Sequence, residues 1–143
     1  IGSMTKKYEY SSNTIMNEPD LTGFNPETTF YVTWDAEGNE DSSIPITEDA
    51  PNNWYNYADG EWANIVTKNN DGTIYYVWIP RYQYIIDANE RTTVKFIKGT
   101  STEVQQGYTI PDAFWWDKNN NGVREEDEQL KGYWMMKYPA SNI

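Results

Sequence analysis

NNDGTIYYVWIPRYQYII, residues 69 to 86, decides the fold class. Asn69-Asn70-Asp71-Gly72 is a cluster of turn residues, and Thr73 to Ile79 that follows is rich in β-branched and aromatic side chains with apolar residues on both faces. Such a run predicts a strand inside a sheet, covered on two sides. Pro80 has no N–H to give a ladder and interrupts the run. Beyond it Tyr82, Tyr84 and Ile86 alternate with Arg81 and Gln83, so a strand with one dry face and one wet face is expected to continue past a bend.

Working outward, Asp87 to Arg91 reads as a turn, Thr93 to Ile97 as the partner strand, and Gly99 to Gln106 as a loop. Upstream, Thr29 to Asp35 alternates, with Phe30, Val32 and Trp34 expected on the buried face and Thr29, Tyr31, Thr33 and Asp35 on the other. Ala36-Glu37-Gly38-Asn39 ends that strand, and the polar run from Asp41 to Pro51 reads as a surface loop. Asp59-Gly60 suits a type I′ turn, predicting a hairpin of Trp54 to Tyr57 with Glu61 to Val66. Its register would set Tyr57 opposite Trp62 and Trp54 opposite Ile65, pairs worth roughly 0.2 to 1 kcal/mol each. Gly132 to Tyr138 is a final apolar strand, and the one place with room for a helix is Glu125 to Lys131. The expectation is a mainly β protein of antiparallel sheets, with α+β as the alternative.

The 143 residues suit a single domain over 5–143, with Ile1-Gly2-Ser3-Met4 reading as a cloning remnant and the whole as a piece of something longer. At 38% apolar and 16% aromatic the chain can build a core, mostly from rings. Eleven Lys and Arg against 22 Asp and Glu give a net charge of −11, which repels phosphate backbones and anionic membranes. Neither nucleic-acid binding nor membrane insertion is expected. The absence of Cys and His removes thiolate chemistry, disulfides and the commonest general base and zinc ligand. Twenty-two acids supply accidental carboxylate pairs everywhere, so abundance alone does not indicate a glycosidase. The chain is expected not to be an enzyme.

The most explicit chemistry lies in DKNNNGVREEDE, residues 117 to 128. Set against a twelve-residue calcium loop, Asp117, Asn119 and Asn121 take positions 1, 3 and 5, Gly122 the sharp turn at 6, and Val123 the backbone-carbonyl position 7. Glu125 falls at 9 and Glu128 at 12, where a carboxylate closes the shell with two oxygens. A hard cation such as Ca2+ needs six to eight oxygens, and this spacing lets one segment wrap it. Arg124 at position 8, Pro111 before the loop and Gly132 after it argue against flanking EF-hand helices. The loop resembles the helix-free calcium loops of bacterial surface adhesins. Three carboxylates and two amides suggest affinity on the order of 10⁻⁶ to 10⁻³ M, suited to an ion-rich exterior.

Three further segments carry a second resemblance: Asn53-Trp54-Tyr55-Asn56-Tyr57 with Trp62-Ala63-Asn64, then Tyr76 to Tyr82, then Gly132 to Ser141. They are similar to extracellular or phage-tail proteins of Gram-positive gut bacteria and their prophages, whose "VWIPR" and "GFWMAKYEAS"-like segments lead into a C-type-lectin-like domain related to formylglycine-generating enzymes. The resemblance implies a place on the bacterial surface or virion tail, and a partial or variant lectin-like fold. It implies no oxidase, because the copper-binding cysteines of the enzymatic relatives have no counterpart here.

The expected function is therefore a calcium-stabilised structural or adhesive module, with a host-surface glycan or protein receptor as partner and self-association or further domains of the same protein. One alternative is a carbohydrate-binding lectin-like module, in which Trp54, Tyr55, Tyr57 and Trp62, with Trp115 and Trp116, would stack sugar rings. The competing use of each ring is simple core packing, since each buries roughly 150 to 250 Å². The other alternative is a pilin or filament subunit.

Overall fold

The computed structural model describes residues 8–123 and 125–137. The chain is mainly β, with 36% of residues in strands, 6% helical and, among the described residues, no helix of seven or more residues. Among the described residues the helical content is three single 3-10 turns, Tyr57–Asp59, Asp112–Phe114 and Glu126–Glu128, so the segment with room for a helix forms one short turn. Among the described residues no helix is long and apolar enough to cross a membrane. The described residues form two compact units, one from 8–18, 57–60 and 80–133, the other from 19–56, 61–79 and 134–137.

Most residues of the second unit's strands belong to a five-stranded sheet, in which β2 (Thr29–Trp34), β3 (Glu40–Asp41), β4 (Asn64–Asn69), β5 (Gly72–Pro80) and β8 (Gly132–Met136) are ordered β3-β2-β4-β5-β8. β4 and β5 are a hairpin whose register closes at Asn69↔Gly72, where the sequence places its turn. Asn69 Oδ1 accepts the Asp71 N–H at 3.0 Å, the local bond that makes Asn a good turn residue. β5 is an inner strand as expected, but it is fully buried only at Trp78 and Pro80; Ile74 to Val77 are half-exposed.

Two expectations for this unit need correcting. In β2 the side chains of Thr29, Tyr31 and Thr33, assigned to the wet face, are buried, whereas Trp34 is 39% exposed. The cause is the surface loop from Asp41 to Pro51, which runs back along β2. Ile44 and Ile46 bond to Tyr31 and Thr29 of β2, and the Tyr31 hydroxyl donates to Glu48 O at 2.8 Å. A buried tyrosine is tolerated once its hydroxyl has an acceptor. The second correction concerns the Asp59-Gly60 hairpin. Asn56 and Glu61 exchange hydrogen bonds of 2.7 and 2.9 Å as an isolated bridge, leaving a four-residue loop, and Trp54 Nε1 donates to Asn64 O at 2.7 Å. Gly60 has φ +79, but Asp59 lies in the 3-10 turn, so a type I′ turn does not form.

The first unit holds a three-stranded sheet ordered β1-β7-β6, from β1 (Tyr8–Tyr10), β6 (Tyr82–Ile86) and β7 (Thr92–Phe96). β6 and β7 pair antiparallel from Tyr82↔Phe96 to Ile86↔Thr92, and β1 runs parallel to β7. Asp87 Oδ1 accepts the N–H groups of Asn89 and Arg91 at 2.8 and 2.9 Å and shapes the connecting turn. Met16, Tyr57, Phe96 and Phe114 make the core, with Tyr57 set edge-on to Phe96 at 5.6 Å. The Tyr57 N–H is taken by Asn13 Oδ1, which anchors the 3-10 turn that replaces the expected hairpin.

Here the expected dry and wet faces of β6 are reversed. Arg81 is 0% and Gln83 8% exposed, while Ile86 is 58% exposed. Both buried polar chains are bonded, Gln83 Oε1 accepting the Gln105 N–H at 2.8 Å. Burial of a polar group is governed by whether partners are supplied, and the loop from Gly99 to Gln106 supplies Gln83 with the Gln105 N–H and Arg81 with one of its acceptors, Ser101 O.

Candidate metal loop

The acidic loop is held at its neck by a two-residue ladder. Trp116 N–H donates to Glu128 O at 2.9 Å, Leu130 N–H donates to Phe114 O at 2.7 Å, and Trp115 bridges Gln129 between them. Beneath this neck lies Arg81. Its guanidinium donates to Phe114 O and Leu130 O, both at 3.1 Å, to Gln129 Oε1 at 2.8 Å and to Ser101 O at 3.2 Å. The planar fork of Arg thus ties the entering and leaving arms to the start of β6. Asn17 adds a second tie, donating to Gly99 O and Lys131 O and accepting the Gly99 N–H.

Inside the loop the first and last acids close the ring. Asp117 receives the Asn121 N–H on Oδ1 at 3.2 Å and the Gly122 N–H on Oδ2 at 2.7 Å. Gly122 has φ +72, a backbone state that glycine adopts at little cost, so the chain reverses where position 6 predicts. Glu128 is 1% exposed. Its Oε2 accepts the Lys118 N–H at 2.8 Å, and its Oε1 accepts the Glu125 N–H and Trp115 Nε1–H, both at 3.2 Å.

The middle positions converge as well. Asn119 Oδ1 shares the Asn121 N–H with Asp117 at 3.3 Å. The amide nitrogens of Asn119 and Asn121 donate to the two Glu125 oxygens at 3.0 and 3.1 Å. Asp117, Asn119, Asn121 and Glu125 are thereby brought together, with Glu128 at the base. Val123 is 56% exposed beside them, its N–H given to Asn121 Oδ1 at 2.9 Å. Arg124 lies outside the described residues.

The donor set suits a hard cation, being all oxygen. Among the described residues, however, no three carboxylates stand together as a ready-made ion site. Glu128 in particular has both oxygens engaged by N–H groups, and two-oxygen ligation would require it to release at least the doubly occupied Oε1. Glu128 is therefore a hydrogen-bonded brace for the loop whatever the ion does. Trp115, Lys118, Gln129 and Arg81 were not singled out in the sequence as parts of this loop. Arg81, expected from the sequence to pair with a carboxylate, bonds to the carbonyl and amide oxygens of Ser101, Phe114, Leu130 and Gln129.

The aromatic candidates do not form a platform. Trp54 is 6% and Tyr57 0% exposed, so their faces are closed to a sugar ring. Trp54 is wedged edge-on between Tyr31 at 4.7 Å and Tyr55 at 5.3 Å. Tyr55, Trp62 and Trp115 are half-buried, and only Trp116, 61% exposed, is open, with Lys118 Nζ 5.9 Å from its ring centre. Of the surface-protein resemblance, Tyr76 to Tyr82 covers the end of β5 and the start of β6, and Gly132 to Lys137 covers β8; Tyr138 to Ser141 lie outside the described residues. The chain matches no protein-family model, no curated protein and no solved structure.

Proposed function

We propose that this chain is a non-enzymatic, calcium-stabilised structural or adhesive module of an extracellular bacterial surface or phage-tail protein. The observation that carries the reading is the convergence of Asp117, Asn119, Asn121 and Glu125 in one loop whose neck is tied into the core by Arg81. An ion held there would replace the N–H donors that now face those oxygens and would stiffen the loop against the sheet beneath it. The −11 net charge, the lack of cysteine and the adhesin-like loop spacing support an exterior, ion-rich setting. The lack of His and Cys, which removes the commonest general base and nucleophile, supports a reading of binding rather than turnover. The lectin-like alternative is weakened by the burial of Trp54 and Tyr57.

The deciding experiment is calorimetric titration of the metal-stripped chain with calcium, paired with thermal melts in calcium and in chelator. Heat of binding and a lower melting midpoint in chelator are expected. A titration without heat and coincident melts would remove calcium from the account.

A further inference from the structure

Asn121-Gly122 is the single Asn-Gly peptide in the sequence, and it lies exposed at the tip of the acidic loop. In such a pair the Gly122 main-chain nitrogen can close a five-membered ring on the Asn121 side-chain carbon Cγ, and glycine offers no Cβ to obstruct it. The space around Gly122 is open as well, since a Cβ built there would meet nothing within 4 Å.

Three neighbours face three of the atoms that change in this ring closure. Asp117 Oδ2 accepts the N–H of the attacking Gly122 nitrogen at 2.7 Å. Val123 N–H donates at 2.9 Å to Asn121 Oδ1, the oxygen on which negative charge develops. Glu125 Oε1 accepts from Asn121 Nδ2, the departing nitrogen, at 3.1 Å. A proton acceptor at the nucleophile and a donor at the developing oxyanion are what general-base and oxyanion catalysis require, while Glu125 orients the departing amide. Holding them in one loop supplies the orientation that a flexible chain lacks.

We propose that Asn121-Gly122 is a self-modification site, converted within the folded loop through a cyclic imide to an aspartyl or isoaspartyl linkage. The Gly122 nitrogen bonds to Asn121 Cγ and yields its proton to Asp117. The Cγ–Nδ2 bond breaks, and Nδ2 leaves as ammonia with that proton. Water, the sole co-reactant, then opens the imide. Cleavage of the new N–Cγ bond leaves a side-chain carboxylate, and cleavage at the main-chain carbonyl leaves the isoaspartyl form. Nothing is oxidised or reduced. Either product adds one negative charge to the loop, and the aspartyl form replaces a neutral amide by a carboxylate at position 5, which strengthens a hard-cation site. That last consequence rests on the calcium reading; the ring closure does not.

The test follows the full chain at neutral pH in heavy-oxygen water, with peptide mapping by mass spectrometry, in buffer and in denaturing urea. Residue 121 is expected to gain an acid carrying the heavy oxygen, faster in the folded chain than in urea by about tenfold or more. Asp117→Asn should bring the folded rate down to the unfolded one. An intact Asn121, or a folded rate no greater than that in urea, overturns the proposal; this comparison needs no variant, so it stands even where Asp117→Asn fails to fold. Calcium titration of Asn121→Asp is read separately: tighter binding than the parent is expected, and absence of heat in both chains removes the ion reading while leaving the mass change to decide the modification.

Discussion

Arg81 Nη2 lies 2.8 Å from Gln129 Oε1, and both side chains are withdrawn from solvent. The same guanidinium reaches main-chain carbonyls of Ser101, Phe114 and Leu130, so one buried cation organises segments that are remote in sequence. Truncation to Met would strip donors from several buried acceptors at once. Arg81→Met is therefore expected to cost roughly 3 to 5 kcal/mol, measured by urea unfolding. A loss well under that range would mean the neck of the loop is held by other contacts.

Glu128 offers a way to separate brace from ligand. With the carboxylate removed, Lys118 N–H, Glu125 N–H and Trp115 Nε1–H lose their acceptor. Glu128→Ala should lower stability by about 1 to 3 kcal/mol even with chelator present, because unsatisfied donors are costly without any ion. Glu125→Gln, whose partners are two exposed amides, should leave chelator-treated stability almost unchanged and weaken calcium binding. Equal behaviour of the two variants in chelator would contradict this division.

The tryptophans should divide the same way. Trp54→Ala removes a buried ring and its hydrogen bond to Asn64 O, at an expected cost of roughly 3 to 5 kcal/mol in a denaturant melt. Trp116→Ala, at an exposed ring, should stay within about 0.5 kcal/mol. Glycan-array binding that survives Trp116→Ala yet vanishes in a folded Trp54→Phe chain would revive the sugar-stacking role of the buried ring.

Alkaline pH should weaken the first unit. Burial lifts the Tyr82 hydroxyl above its ordinary value of 10.0, with Tyr133, Tyr84 and Tyr10 adding to the rise, and burial lifts Tyr133 likewise. A raised folded value means the neutral ring is favoured by folding. The contribution is complete below about pH 10 and is lost as pH climbs through the raised value. Melting midpoints should fall from pH 10 upward, and Tyr82→Phe, which cannot ionise, should fall less steeply. Parallel slopes for the two chains would show that Tyr82 is not the group responsible.

Much of the chain's path could be read locally. The turn at Asn69 to Gly72, the strand end at Pro80, the Asp87 to Arg91 turn and the strand near Thr93 are set by short-range chemistry: residues that tolerate or refuse particular dihedrals, and a ring without an N–H. The convergence of Asp117, Asn119, Asn121 and Glu125 has the same local origin, since their spacing within twelve residues is a property of one segment. At Asp59-Gly60 the same reasoning failed because Tyr57 found a better place edge-on to Phe96, and that packing outweighed the turn preference of a dipeptide.

What the residues alone determined is that this is a strand-built, ring-rich, acidic protein with one oxygen-lined loop. Which side of each strand faces inward was decided by tertiary structure. Alternation assigns Arg81, Gln83, Thr29 and Tyr31 to solvent, yet all four are buried. Arg81, Gln83 and Tyr31 enter the core because hydrogen-bond partners meet them there, whereas the Thr29 hydroxyl is buried without one. For Arg81 those partners come from positions 20 to 49 residues further along the chain, a distance over which local periodicity carries no information.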